Sequence, residues 1–311
     1  MSAPGMAGRS SKESEVMVLR IKGVVWLVLV LAMAVGCGAV DDEGLPQEAE
    51  AQQAINLGYG ADLFYYLRHN PSAGNFSTFG TISTSGAVVD RFGVGANFDA
   101  LTFVAQNLGY GPNLFYYLRH DPGAGNFSMF GTISTSGAVV DRFGVGANFD
   151  ALVFVAANLG YGTNLFYYLR HTPSAGNFST FGTISTSGAV IDRFGVGANF
   201  DDLTFSSASV GYGTNLFYYL RHTPSAGNFS TFGTISTSGA VLDRFGVGAN
   251  FDALTFVSTS VGYGTNLFYY LRHDPSAGNF STFGTVSTSG AVIDRFGVGA
   301  NFDALTFAVG P

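Results

Sequence analysis

Residues 211–261 read GYGTNLFYYLRHTPSAGNFSTFGTISTSGAVLDRFGVGANFDALTFVSTSV, and nearly the same 51 residues occur five times in the chain. The Gly-Tyr-Gly opening recurs at Gly58, Gly109, Gly160, Gly211 and Gly262, so the repeat units start at 58, 109, 160, 211 and 262. A fixed period of this length is the mark of a repeat architecture. Each unit holds six Phe and three Tyr, so five units account for all 30 Phe and all 15 Tyr of the 311-residue chain. Seven glycines recur in each unit, 35 of the 43 in total. The repeat therefore sets the composition (47% hydrophobic, 15% aromatic, 11% charged), and two dissimilar domains are excluded. Disorder, which needs few aromatics and much charge, is excluded for most of the chain. A single cysteine excludes a disulfide scaffold, and the glycines lack the triplet period of collagen.

Within a unit, four runs rich in Phe, Tyr, Val, Ile and Thr read as strands, here 99–104 (DALTFV), 114–120 (LFYYLRH), 127–135 (FSMFGTIST) and 139–145 (VVDRFGV). Gly-Tyr-Gly-Pro, Asp-Pro-Gly-Ala-Gly-Asn, Ser-Gly-Ala and Gly-Ala-Asn separate them as turns. No helical period extends across a unit. Four antiparallel strands in ~50 residues, repeated five times, predict an all-β, five-bladed β-propeller over residues 54–311. The array's ends support closure. Before Gly58 the chain reads EAEAQQAINL where other units carry FDALTF, and an extra FDALTF run, 302–307, follows the fifth unit. The C-terminal strand is expected to become the innermost strand of blade one, leaving no open edge.

With FDALTF innermost, the loops after the second and fourth strands share one rim. This rim gathers Arg68, His69, Asn75, Asn97 and Asp99 with their copies, and as the more polar rim it is the candidate ligand face. The candidates are His69, His120, His171, His222 and His273; Asn75, Asn97, Asn148, Asn199, Asn250 and Asn301; and Asp99, Asp150, Asp201, Asp252 and Asp303. The histidines lie one per blade without a second His or Cys beside them, which favours loop packing over a metal site. The aspartates sit where the channel opens, either as a ring for a hard cation or as caps of their own turns. Asp90-Arg91 and its copies face opposite ways on their strand, and with Arg68 and its copies they predict ion pairs within or between blades. Tyr59 and its copies look the most exposed aromatics, able to stack on a sugar or to cover a blade edge.

The N-terminal region has a different grammar. Arg20 and Lys22 precede a 12-residue apolar core, 24–35, and Gly36–Cys37 closes it, as in a secretory signal peptide over residues 1–36. That core is short of the ~20 residues of a spanning helix. The wider uncharged run 23–40 leaves an uncleaved anchor as the alternative. Residues 1–16 read as an upstream extension before Met17. The stretch Leu31-Ala-Met-Ala-Val-Gly-Cys37 resembles the lipobox of bacterial lipoproteins, with Ala34 where Leu is usual. The resemblance implies lipidation of Cys37 and cleavage before it; with Gly38 next, it implies an outer-membrane or cell-surface address in the cell envelope. Residues 37–53 would then be a lipidated acidic tether, with five acids and no base in 38–53.

Beyond Cys37 there are ten arginines, no lysine and 19 acids, a net charge of −9, which argues against nucleic acid as a partner. No phosphate loop, and no nucleophile set with a distinct single site, is present, and no cofactor is implied. In blade count and approximate repeat length, residues 54–311 resemble the five-bladed lectin propellers typified by tachylectin-2, which implies a carbohydrate ligand class. Five equivalent copies suit repeated weak binding, so the expectation is no enzyme but a surface-anchored, non-catalytic multivalent module. Its partner would be a glycan or other envelope component, and its membrane contact the lipid anchor. The alternative is a structural or adhesive envelope protein docking protein partners.

Overall fold

The computed structural model describes residues 53–310. Three strands, β1 (Leu63–Asn70), β2 (Phe76–Ser83) and β3 (Val88–Ala96), open the array. Blade two is β4 (Phe98–Val104), β5 (Leu114–Asp121), β6 (Phe127–Ser134) and β7 (Val139–Ala147). Blade three comprises β8 (Phe149–Val155), β9 (Leu165–Thr172), β10 (Phe178–Ile184) and β11 (Val190–Ala198). Blade four has β12 (Phe200–Ser206), β13 (Leu216–Thr223), β14 (Phe229–Ile235) and β15 (Val241–Ala249). Blade five has β16 (Phe251–Val257), β17 (Leu267–Asp274), β18 (Phe280–Val286) and β19 (Val292–Ala300), and β20 (Phe302–Phe307) ends the chain's strands. The sheets are five, each of four antiparallel strands, and β20 joins blade one in the order β20-β1-β2-β3. The architecture is the five-bladed propeller expected, closed as expected.

Closure repeats the register of the continuous blades. Phe64 faces Phe307 and Arg68 faces Phe302, just as Phe115 faces Phe103 and Arg119 faces Phe98. Beyond β20, the Ile55 N–H donates to the Ala308 carbonyl at 3.1 Å and the Gly310 N–H to the Gln53 carbonyl at 2.7 Å. The two ends of the described chain are thus stitched together at one face of the ring.

The core sits in the seams between blades. At each seam a second-strand Phe of one blade enters between a Tyr and a Phe of its neighbour: Phe115 lies 4.8 Å from both Tyr65 and Phe79, centroid to centroid. The closing seam has the same arrangement, with Phe64 at 4.6 Å from Tyr269 and 5.0 Å from Phe283. Such pairs add about 0.5–1.5 kcal/mol each beyond burial of area. Five equal seams explain why the two apolar faces of LFYYL are both needed.

Glycine matters most at Gly80 and its copies, where a Cβ would overlap the Tyr66 ring. That ring crosses the glycine so that its hydroxyl donates to Asp90 at 2.5 Å. The last strand of each unit runs to the alanine of GVGAN, two residues beyond the sequence expectation, because a bulge leaves Val145 unpaired between Met129↔Gly144 and Ser128↔Gly146. Gly146, at φ +119°, carries that bulge.

Candidate functional site

Each innermost strand contains a second bulge. In β4 and β5, Phe98 faces Arg119 and Ala100 faces Leu118, which leaves Asp99 as the extra residue. A bulge turns its residue out of the regular alternation. Asp99 Oδ1 thereby meets His120 Nδ1, at the far end of β5, at 2.7 Å. The other four pairs are His171–Asp150 (2.7 Å), His222–Asp201 (2.6 Å), His273–Asp252 (2.7 Å) and His69–Asp303 (2.6 Å), the last formed across the closure. Sequence reading placed these ten residues on one rim but did not pair them.

The candidate asparagines shape the rim. Asn97 (φ +59°) and Asn75 (φ +56°) adopt the left-handed conformation that Asn tolerates better than most residues. The Asn97 N–H donates to the Asn75 carbonyl at 3.3 Å, and the His120 N–H to the Asn97 carbonyl at 2.9 Å. Asn148, Asn199, Asn250 and Asn301 repeat the geometry, at φ +59° to +61°. The two loops expected to share a rim therefore touch, and the histidine backbone is fixed to them.

The five aspartates converge on one axial cavity of about 370 Å³, together with His171, His222, Asn177, Asn199 and the rings of Phe98, Phe149, Phe200, Phe251 and Phe302. Ser179 and these Phe rings are lining residues that the sequence reading missed, while Asn177 is a copy of Asn75. Their signal was position: each Phe immediately precedes its aspartate on the innermost strand. One oxygen of each aspartate bonds its histidine, while the other is buried without a partner. Burial raises all five carboxyls and outweighs the opposing effect of the histidine bond; Asp99 and Asp201 reach about 6. Neighbouring carboxyls add to the rise, Asp150 and Asp303 acting on Asp99. The bond to the aspartate, against desolvation, raises each histidine above its ordinary 6.5. Each pair therefore holds its protons tightly. Among the described residues no three His, Cys, Asp or Glu side chains stand close enough to hold one metal ion.

The remaining charged groups have packing partners. The Arg68 guanidinium bonds Asp90 within blade one, and Arg119, Arg170, Arg221 and Arg272 repeat the pairing. Among the described residues Arg91 pairs with no carboxylate. It donates to Thr81 Oγ1 (2.9 Å from Nη2) and lies 4.5 Å over the Tyr59 ring. Tyr59 in turn donates to the Thr135 carbonyl of the next blade, so this half-buried ring covers the seam. The exposed aromatics are instead Phe76 and its copies, 43–46% exposed, whose rings lie against Gly93 and its equivalents. At the opposite mouth of the channel, an apolar cavity of about 330 Å³ is lined by Phe103, Phe154, Phe205 and Val309 among others. Cys37, the signal segment and residues 37–52 of the tether lie outside the described residues.

Neither a family model nor a curated protein sequence matches the chain. Solved structures similar to it include RS223-β-xylosidase (TM-score 0.47, 10% identity, covering 79% of this chain and 94% of that one). Another is an exo-1,5-α-L-arabinanase from a bovine ruminal metagenomic library (TM-score 0.46, 8% identity, 79% and 96%). Both are enzymes by name and neither is a lectin, a likeness of fold alone; what is corrected instead is the expectation of five separate weak sites. The geometry supplies the physical reason. Five copies of one aspartate do not make five separate weak sites; they meet in a single cavity on the axis. The multivalent module of five separate sites is therefore set aside, and the tachylectin resemblance is reduced to blade count.

Proposed function

We propose that the chain acts on carbohydrate in its axial cavity, using the Asp–His pairs as acid and base. The observation that carries this reading is the set of neighbouring buried carboxyls, two of them pushed up to about 6, around one cavity. Cleaving a glycosidic bond takes two carboxyl groups, one protonated toward the leaving oxygen and one ionised toward the sugar ring or a water. Groups whose proton affinities are raised by burial supply both forms at mildly acidic to neutral pH. The carboxylates and the amides of Asn177 and Asn199 suit a hydroxyl-rich ligand, and the Phe rings give its C–H faces an apolar wall. The test is hydrolysis of a panel of aryl glycosides and plant or bacterial polysaccharides. Turnover of at least one member is expected, falling on both sides of a mildly acidic optimum and reduced at least about 100-fold in Asp201→Asn. Absence of both turnover and saturable binding across the panel defeats the reading.

The same proposal includes a lipid on Cys37. The described chain begins at Gln53 beside Gly310, at the apolar mouth. Metabolic labelling with radioactive palmitate should mark the wild-type protein and not Cys37→Ser. Equal labelling of both rejects the anchor.

A further inference from the structure

Five equivalent Asp–His pairs around one axis pose a chemical difficulty, since an asymmetric sugar needs groups in distinct roles. Directly after the ring aspartates, one position breaks the equivalence. Four innermost strands begin Phe-Asp-Ala-Leu, whereas β12 begins Phe200-Asp201-Asp202-Leu203. Asp202 thus stands where the other blades have Ala100, Ala151, Ala253 and Ala304, next in the chain to Asp201 of the axial cavity.

Its carboxyl is held at two points. Oδ1 accepts the Leu203 N–H at 2.7 Å, and Oδ2 accepts the Leu254 N–H at 2.6 Å from β16 of the next blade. Two residues on, Thr204 Oγ1 accepts the Phe256 N–H at 3.1 Å. Among the described residues, these two side chains alone bond one innermost strand to the backbone of the next. The bridge therefore joins the strand that carries Asp201 to the strand that carries Asp252, at the one seam where it can. Asp202 is half-buried at its surface but surrounded by protein at longer range, and burial pushes its carboxyl up to about 8. The charged group acting on it is Asp201, which raises it further. The two N–H bonds favour the ionised form, and burial outweighs them.

We propose that Asp202 is a positioning residue which, by tying β12 to β16, sets Asp201 and Asp252 apart from the other three aspartates as the working acid and base of the axial site. The role in turnover rests on the carbohydrate reading above; the distinction between the pairs does not. Fixed placement of two reacting groups is worth large rate factors, and loosening it lowers kcat before it touches binding.

Two variants test this. Asp202→Ala installs the residue that four blades already have, so the fold tolerates it. Ala100→Asp offers the same carboxyl to the seam between β4 and β8. NMR titration of the five histidine rings is read first. In the wild type the five rings are unequal on local grounds, since Asp121 raises His120 and Asp274 raises His273, so each variant is read as a shift from its own wild-type curve. In Asp202→Ala the curves of His222 and His273 should move while those of His120, His171 and His69 stay, and in Ala100→Asp the curves of His120 and His171 should move instead. On any glycoside that is turned over, Asp202→Ala should lower kcat about tenfold or more, with KM within about twofold and a shifted pH profile. Curves of His222 and His273 that do not move in Asp202→Ala, or that move no more than the other three, overturn the proposal, as does an unaltered kcat. Movement of those two curves without any glycoside turned over leaves the positioning role standing and removes the carbohydrate reading instead.

Discussion

At one mouth of the channel five Asp–His pairs surround a polar cavity; at the other, Phe103, Phe154 and Phe205 line an apolar one. The same five innermost strands build both, running from Asp99 and its copies at one end to Val104 and its equivalents at the other. Buried oxygen atoms without a partner occur both at the polar mouth and in the seams between blades, but of different kinds. At the polar end they belong to carboxyls, and in the seams they are the hydroxyls of Tyr65 and its copies. Denying water to a group that carries charge costs more than denying it to a hydroxyl. The fold thus accepts its larger electrostatic cost at the aspartate ring and packs the opposite end with rings. Costs of this sort gather where chemistry is done.

Removing one residue from each mouth puts the contrast to its hardest test. Phe103 is 8% exposed and its ring sits 5.1 Å from that of Phe115. Phe103→Ala should cost about 3–5 kcal/mol of stability through the lost burial and the cavity left behind. Asp99→Asn removes a carboxyl that burial penalises when charged, and should cost less than about 1 kcal/mol at pH 8 or even stabilise. Urea denaturation of both variants decides. Equal losses at the two mouths would break the comparison, because Asp99 would then be a packing residue like Phe103.

The sequence reached some of this and not the rest, for identifiable reasons. The propeller was legible because repeat length, strand count and the spare FDALTF run at 302–307 are counted along the chain. Strand limits came within two residues, since β-branched and aromatic runs bounded by Gly, Pro and Asn depend on local chain chemistry. The pairing of Asp99 with His120 was not legible. Both recur at one constant offset, 21 residues apart. Regular alternation, however, gives no reason for Asp99 to leave its place in the β4 ladder, and no glycine on that strand announces the bulge. Tyr59 was misjudged for a related reason. A tyrosine in a Gly-Tyr-Gly turn reads as exposed until the neighbouring blade brings Thr135 to its hydroxyl. Five-fold repetition also suggested five sites, and only the closed ring shows that residues on innermost strands share one.

A smaller effect separates the mouths by pH alone. The polar mouth and its channel wall contain eleven groups whose proton affinity is raised in the folded state: five aspartates, their five histidines and Asp202. A group with a raised folded pKa binds more protons folded than unfolded, so its contribution is fully present below the unfolded value and is lost as pH rises through the folded one. For Asp99 and Asp201 that window runs from 3.8 to about 6, for Asp202 from 3.8 to about 8, and for the histidines upward from 6.5. Every sign is the same. Stability should therefore fall from pH 5 to pH 8, opposite to the acid lability of proteins held by ionised carboxylates, and Tm by calorimetry should be higher at pH 5. Asp202→Ala should flatten the slope up to about pH 8, and Asp99→Asn the slope below about pH 6, while Phe103→Ala lowers Tm equally at both pH values because it removes no titrating group. A wild-type Tm that rises from pH 5 to pH 8 would mean that the aspartates are ionised and well paired in the fold, and the electrostatic contrast between the two mouths would vanish.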